Sequence, residues 1–245
     1  MTVDLLYITY NRIECTKQTL PKLLDSSEYP FNLTIVDNAS CDGTVQYLKE
    51  ITASYQDRQN INLQLNKHNQ GLSVPTNIFW QKSAADLVGK IDNDIYVESG
   101  WLKKLVYAHE QIPELAVIGG FHFPENIFNE KKCRHNICQY NGVKIIRQTH
   151  IGGNYLAKKE YISENGLLKE PSSDKDFKLG GWTAYQERLT KKGYIIAYHF
   201  PLIIFKHLDT ADKDYYKRVR GMSARKYFKW EKKIGKKMLY SKRQW

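Results

Sequence analysis

The sequence predicts an α/β protein built on a doubly wound, mostly parallel sheet. Three observations carry this expectation. Short β-branched runs alternate with helical stretches over the first hundred residues. A polar cluster follows each of the first four runs. The chain has 245 residues, 42% of them hydrophobic and 26% charged, which suits one packed domain with a tail.

In order, Val3 to Ile8 reads as a buried strand and Ile13 to Leu24 as a helix with Cys15, Leu20, Leu23 and Leu24 as apolar positions. Leu33 to Val36 forms a second strand ending at Asp37. Gly43 to Tyr55 forms a second helix, with Val45, Leu48 and Ile51 at helical spacing. Ile61 to Leu65 is the third strand, Leu72 to Ser83 the third helix, and Leu87 to Ile91 the fourth strand, running into Asp92. Trp101 to His109 opens a further helix. The second half is less regular. His122 to Arg147 reads as a polar, loop-rich insertion. His150 to Leu156, Tyr194 to Tyr198 and Leu202 to Phe205 read as strands, and Gly180 to Lys192 as a helix. From Tyr215 onward the pattern is helical and basic. The expected division is a catalytic-type domain over 1–212, with halves 1–98 and 99–212, and a tail over 213–245.

Charge is concentrated at one end. Of 37 Lys and Arg and 26 Asp and Glu, the segment 213–245 holds 13 and two, which leaves 24 of each in the rest. The body is therefore neutral and the tail carries the net +11. Two readings of the tail stand: it docks on the body through a partial apolar stripe, or it lies on an anionic membrane surface. A neutral body argues against nucleic acid as the partner. The apolar runs are too short to span a bilayer and the start lacks a signal-peptide pattern, so the expected location is cytoplasmic, peripheral on the inner face of the membrane if the tail binds lipid. Cys15, Cys41, Cys133 and Cys138 do not form a disulfide framework. Cys133, His135 and Cys138 lack a second ligand pair for zinc, so ordinary loop and core cysteines are expected.

In doubly wound sheets ligands bind beyond the carboxyl ends of the strands. There lie Thr9-Tyr10-Asn11-Arg12, Asp37-Asn38-Ala39-Ser40, Asn66 to Gly71, and Asp92-Asn93-Asp94. Each alone could be a capped turn; four on one rim suggest a nucleotide cleft.

The run Ile8 to Arg12, the run Ile35 to Thr44, then Asn66, Asn69, Gly71 and Asn77, and finally Lys90 to Asp94 resemble, in order and spacing, the family-2 type glycosyltransferases with the A-type nucleotide-sugar (GT-A) fold. A looser likeness continues through Gly152-Gly153-Asn154 to His207. The resemblance implies transfer of a sugar from a nucleotide-diphosphate donor, a UDP-sugar, to a hydroxyl acceptor on a glycan or lipid-linked carrier, with inversion, in cell-envelope polysaccharide synthesis. It implies that Thr9, Tyr10, Asn11, Arg12, Asp37, Asn38, Gly71 and Asn77 serve the nucleotide. Asp92 and Asn93 of the D-x-D triplet would do so too, with Asp92 near ribose or water and also toward the metal. Asp94 would hold Mn²⁺ or Mg²⁺, and His207 would complete the metal site. Two carboxylates just past a buried strand suit such a hard cation, which would neutralise charge on the departing diphosphate. Gly153 and Asn154 would border the reacting sugar, and Trp182 would offer an aromatic platform to the acceptor.

The base is where the likeness fails. Inverting relatives carry a Glu-Asp pair where this chain has Gly181-Trp182. Asp176 is the first candidate, followed by Glu187 and Asp174, because a base must reach the acceptor hydroxyl. The missing pair keeps open a sugar-nucleotide-binding module without catalysis, and a retaining mechanism. A nucleotidyltransferase is the other enzyme alternative, but Tyr10 to Cys15 offers no glycine-rich triphosphate loop.

Overall fold

The computed structural model of the protein describes residues 1–123, 125–169 and 181–208, together with residues 229, 232, 233, 235, 236, 239 and 240. The first half follows the alternating pattern. It runs β1 (Val3–Thr9), α1 (Ile13–Asp25), β2 (Asn32–Asp37), α2 (Thr44–Tyr55), β3 (Ile61–Leu65), α3 (Ser73–Lys82) and β4 (Leu87–Asp92). Then come β5 (Ile95–Val97), α4 (Trp101–Gln111), β6 (Leu115–Gly119), α5 (Glu130–Cys133), β7 (Ile137–Tyr140) and β8 (Val143–Gln148). The described elements end with β9 (Tyr155–Lys158), α6 (Lys159–Asn165), α7 (Gly181–Lys191), β10 (Ile195–Phe200) and β11 (Phe205–His207).

Nine strands form one sheet in the order β3-β2-β1-β4-β9-β6-β10-β8-β7. β1 pairs in parallel with β2 and β4, β2 with β3, and β6 with β10. β9 lies antiparallel between β4 and β6, and β8 lies antiparallel between β10 and β7. The sheet is thus mostly parallel, as expected. β1 lies between β2 and β4 while the chain winds outward to β3 and then crosses back. That reversal opens a crevice at the carboxyl ends of β1 and β4.

Both faces of this sheet are covered, which is why its central strands read as nearly continuous apolar runs. One face packs Leu5, Tyr7, Leu33 and Ile91 against Leu20, Leu23 and Leu48 of α1 and α2. The other packs Leu6, Ile8 and Val88 against Phe79 and Trp80 of α3. Burying each such side chain stabilises the fold by roughly 1.5–3 kcal/mol before entropy is counted.

Four expectations are corrected, the first being the strand placed at Leu202 to Phe205, which runs instead over Phe205–His207, where it pairs with β5. The segment 122–147 is not only a loop: β7 and β8 form a hairpin that extends the sheet, with Ile145 and Ile146 buried on opposite faces. The strand placed at His150 starts only at Tyr155, because residues 151–154 are held as a loop by α7. β5 and β6 were not anticipated. β5 is three residues long, and β6 has no polar positions to set a period. The border at residue 212 and most of the tail lie outside the described residues. None of the four cysteines is in a disulfide, and burial pushes the Cys133 thiol up to about 11, the opposite of a thiol poised for metal. No helix among the described residues is long and apolar enough to cross a membrane.

Candidate active site

The chain leaves β1 through two successive left-handed residues, Asn11 (φ 55°) and Arg12 (φ 61°). Non-glycine residues rarely adopt this conformation, and such strain collects at functional sites. It is held from both sides. The Asn11 N–H donates to Ser40 Oγ at 2.7 Å, and Asn11 Oδ1 accepts from the Cys41 N–H at 2.9 Å. The turn sends the Arg12 side chain across the crevice to the end of β4. There Nη1 donates to Asp94 Oδ2 at 3.0 Å and Nη2 to Asn93 Oδ1 at 2.7 Å.

Asn93 is the hub of this arrangement. Its side-chain N–H groups face Thr9 Oγ1, the Asn11 carbonyl and Thr16 Oγ1 at 3.1–3.2 Å, and its carbonyl accepts from Thr19 at 3.0 Å. It is buried. The middle of the triplet therefore ties β1, α1 and β4 together.

The two aspartates part company. Asp92 receives the Lys90 ammonium on Oδ1 and the Asn154 amide on Oδ2, while its N–H donates to Asn154 Oδ1 at 2.7 Å. Lys90, buried on β4, also reaches the Gly153 carbonyl at 3.4 Å. A buried ammonium needs such a partner.

Asp94 lies next to His207, whose Nδ1 is 3.7 Å from Oδ2. The small β5–β11 sheet sets this pair: His207 is in register with Ile95, and the Leu208 N–H donates to the Asp94 carbonyl at 2.8 Å. Burial works against the Asp94 charge. His207 and Arg12 outweigh it and hold the carboxyl well below the usual range. Asp94 Oδ1 is buried without a hydrogen-bond partner.

These residues line a cavity of about 650 Å³ whose walls include Thr9, Tyr10, Asn11, Arg12, Asn38, Gly71, Asp92, Asn93, Asp94 and His207. Two predicted residues stand apart. Both Asp37 oxygens are taken by the Ser40 N–H and hydroxyl, so Asp37 builds the turn and is not among the described lining residues. Both ends of the Asn77 amide are spent on the Leu168 backbone, at 2.9 Å each. Asn38 carries the connection Asp37 lacks: its amide donates to the Gly71 carbonyl and accepts from Asn66, fixing the loop from β3 to α3.

A second cavity of about 350 Å³ adjoins the first and shares Leu72 and Asp92 with it. Lys90, Gly153, Tyr155, Leu168, Gly181 and Trp182 are among its lining residues. Trp182 stacks on Tyr155 with ring centres 4.0 Å apart, and its indole N–H donates to the Gly152 carbonyl at 2.8 Å. Asn154 is buried against Asp92. Glu187 is exposed on α7 and lines neither cavity, because Tyr185, Gln186 and Leu189 take the inward positions. This argues against Glu187 as the base. Asp174 and Asp176 lie outside the described residues.

Sequence reasoning missed Lys90, His122 and Gln186. His122 lies 5.7 Å, ring to ring, from His207. Burial, and then the neighbouring His207 charge, lowers its imidazole to about 3. A Cβ on Gly152 would come within 2.5 Å of the His122 ring, so only glycine fits there. Lys90 stood in the Lys90 to Asp94 run, a lysine inside an otherwise apolar strand, but was given no role.

Among the described residues no three His, Cys, Asp or Glu side chains gather into a ready-made metal cage. The donors present still fit a divalent cation. Asp94 and His207 are adjacent, one Asp94 oxygen is buried without a partner, and a carboxylate–imidazole pair suits Mn²⁺.

Fold and crevice together define an A-type glycosyltransferase fold. Residues 5–167 match the family model described as Glycosyl transferase family 2, and the chain belongs to that family. A curated relative, the glucosyl-dolichyl phosphate glucuronosyltransferase of Haloferax volcanii, is 27% identical over 127 residues, which is 51% of this chain and 39% of the relative. This chain therefore spans well under half of that relative's length. The mannosyltransferase PcManGT of Pyrobaculum calidifontis, solved with GDP-Man and Mn²⁺, superposes with a TM-score of 0.65 at 15% identity, covering 96% of this chain and 71% of that one. TarS of S. aureus, solved with UDP, gives 0.59 at 16% identity over 84% of this chain and 60% of that one.

Proposed function

We propose that the protein transfers a sugar from a nucleoside-diphosphate donor, a UDP-sugar, to a hydroxyl acceptor. The observation that carries this reading is the Asp94–His207 pair at the mouth of a crevice lined by the β1 and β4 ends. The mixed ligands of similar proteins, UDP in TarS and GDP-Man with Mn²⁺ in PcManGT, support the donor class. The name of the Haloferax relative, a glucosyl-dolichyl phosphate glucuronosyltransferase, supports a lipid-linked acceptor.

In this reading the nucleotide occupies the larger cavity, with Asn11 and Asn38 on its wall and the Arg12 guanidinium near the diphosphate. Arg12 offers a bidentate fork suited to phosphate. Asp94 and His207 hold a divalent cation, Mn²⁺ or Mg²⁺, which when bound supplies electrostatic stabilisation of the leaving diphosphate. The donor sugar reaches the second cavity, bordered by Gly153 and Asn154, and Trp182 offers its free edge to the acceptor. Asp176 takes the acceptor proton. The basic tail adds attachment to an anionic membrane surface.

Thermal unfolding with UDP or GDP, each with and without Mn²⁺, tests the donor and the cation. UDP with Mn²⁺ should raise the midpoint most. Asp94→Ala should keep the fold, lose the Mn²⁺-dependent part of that rise, and lower transfer about 10²-fold or more. Larger stabilisation by GDP would reverse the base assignment. An undiminished Mn²⁺ effect in Asp94→Ala would refute the cation site.

A further inference from the structure

The described fold leaves five Leu, Ile and Val residues exposed, and four of them surround α3: Leu72, Val74, Ile78 and Leu167, at 37–56% exposure. Val74 and Ile78 are one turn apart on the solvent face of α3, whose opposite face buries Pro75, Thr76, Phe79 and Trp80. Leu72 opens the helix and lines both cavities. Leu167 is brought alongside by the two hydrogen bonds between the Asn77 amide and the Leu168 backbone.

The charges on α3 and in the segment leading into it have one sign. Residues 58–85 contain no Asp or Glu. Lys67 precedes the helix, Lys82 ends it, and Lys169 follows Leu167, all three exposed. The patch differs from a protein-docking surface. Its exposed side chains, Leu72, Val74, Ile78 and Leu167, include none of the Trp, Tyr or Arg anchors that dominate protein interfaces. Aliphatic side chains on one helix face, flanked by lysines, are what an anionic lipid headgroup layer accepts.

We propose that this face seats the protein on an anionic bilayer. Leu72, Val74, Ile78 and Leu167 enter the headgroup boundary, and Lys67, Lys82 and Lys169 meet the lipid phosphates. Because Leu72 belongs to both cavities, their mouths then open at headgroup level, where a lipid-borne hydroxyl would be presented. This surface is distinct from the basic tail and does not depend on the identity of the donor.

Flotation of the full chain with vesicles tests it. The wild type should float with phosphatidylcholine–phosphatidylglycerol vesicles at 7:3 and far less with phosphatidylcholine alone. Val74→Ser/Ile78→Ser should weaken vesicle binding at least tenfold with an unchanged thermal midpoint, since both side chains face solvent. Val74→Leu/Ile78→Leu should retain binding, and Lys67→Glu/Lys82→Glu should abolish the preference for anionic lipid. Undiminished flotation of Val74→Ser/Ile78→Ser would overturn the proposal and leave attachment to another part of the chain. So would a wild type that ignores anionic vesicles. A wild-type dimer in light scattering that Val74→Ser/Ile78→Ser converts to monomer would assign the face to a second copy and overturn it too.

Discussion

At the scale of single residues, three neighbours in sequence do three different jobs. Asp92 is held by Lys90 and Asn154, Asn93 fastens the crevice, and Asp94 faces His207 with one oxygen unpaired. Spacing revealed the triplet but not this division, which depends on Lys90 two positions back and on the sequence-distant Asn154, Arg12 and His207. The Asn93 amide has four partners: three acceptors share its two N–H groups, and its oxygen accepts from Arg12. Asn93→Ala would leave Thr9, Thr16 and the Arg12 fork without that partner in a buried place. Unsatisfied buried polar groups cost about 1–3 kcal/mol each. The replacement should lower unfolding free energy by about 2–3 kcal/mol, measured as a shift of the urea midpoint at constant slope. A shift below about 0.5 kcal/mol would mean that water replaces Asn93 at little cost.

At the scale of elements, the strands and helices of the first half were legible because each buries one continuous face, so period and burial coincide. Legibility fails where tertiary partners decide. β9 is buried throughout, its Lys158 included, and runs antiparallel where it inserts between β4 and β6. The β7–β8 hairpin carries polar edge residues that hide its pairing. The site followed the same pattern: the β1 and β4 ends were readable as polar clusters after apolar runs, whereas the links of Asp92 to Asn154 and of His122 to His207 join sequence-distant segments. α7 provides a test. Its Gln186 amide accepts from the Ile151 N–H at 2.9 Å and donates to the Ile151 carbonyl at 3.0 Å, both buried. That clamp holds the loop carrying Gly152, Gly153 and Asn154 beside Asp92. Gln186→Ala should speed hydrogen exchange of the Ile151 amide at least tenfold and weaken sugar-dependent steps more than nucleotide binding. Equal protection in both proteins would show that the loop is fixed by Trp182 and β9 alone.

At the scale of the whole molecule, the reversal of strand order builds the nucleotide-sized crevice, and the later strands close its far side with the second cavity. Among the described residues lining the second cavity, Asp92 is the one carboxylate. Glu187 faces solvent, and α7 begins with Gly181-Trp182 where a carboxylate pair was expected. The chain on either side of residues 170–180 is fastened to the second cavity: Leu168 to Asn77, and the Gly181 N–H to the Lys169 carbonyl at 2.8 Å. The 11 residues from 170 to 180 carry Asp174 and Asp176. Asp176→Asn preserves size but removes the ability to accept a proton. If Asp176 is the base, transfer should fall about 10²–10⁴-fold while nucleotide binding changes little, because the β1 and β4 ends supply those contacts. Glu187→Gln should keep full rate. Measuring transfer and nucleotide affinity for Asp176→Asn, Asp174→Asn and Glu187→Gln separates the candidates. Full rate in all three would exclude a carboxylate base from this region and direct attention to a product with retained anomeric configuration.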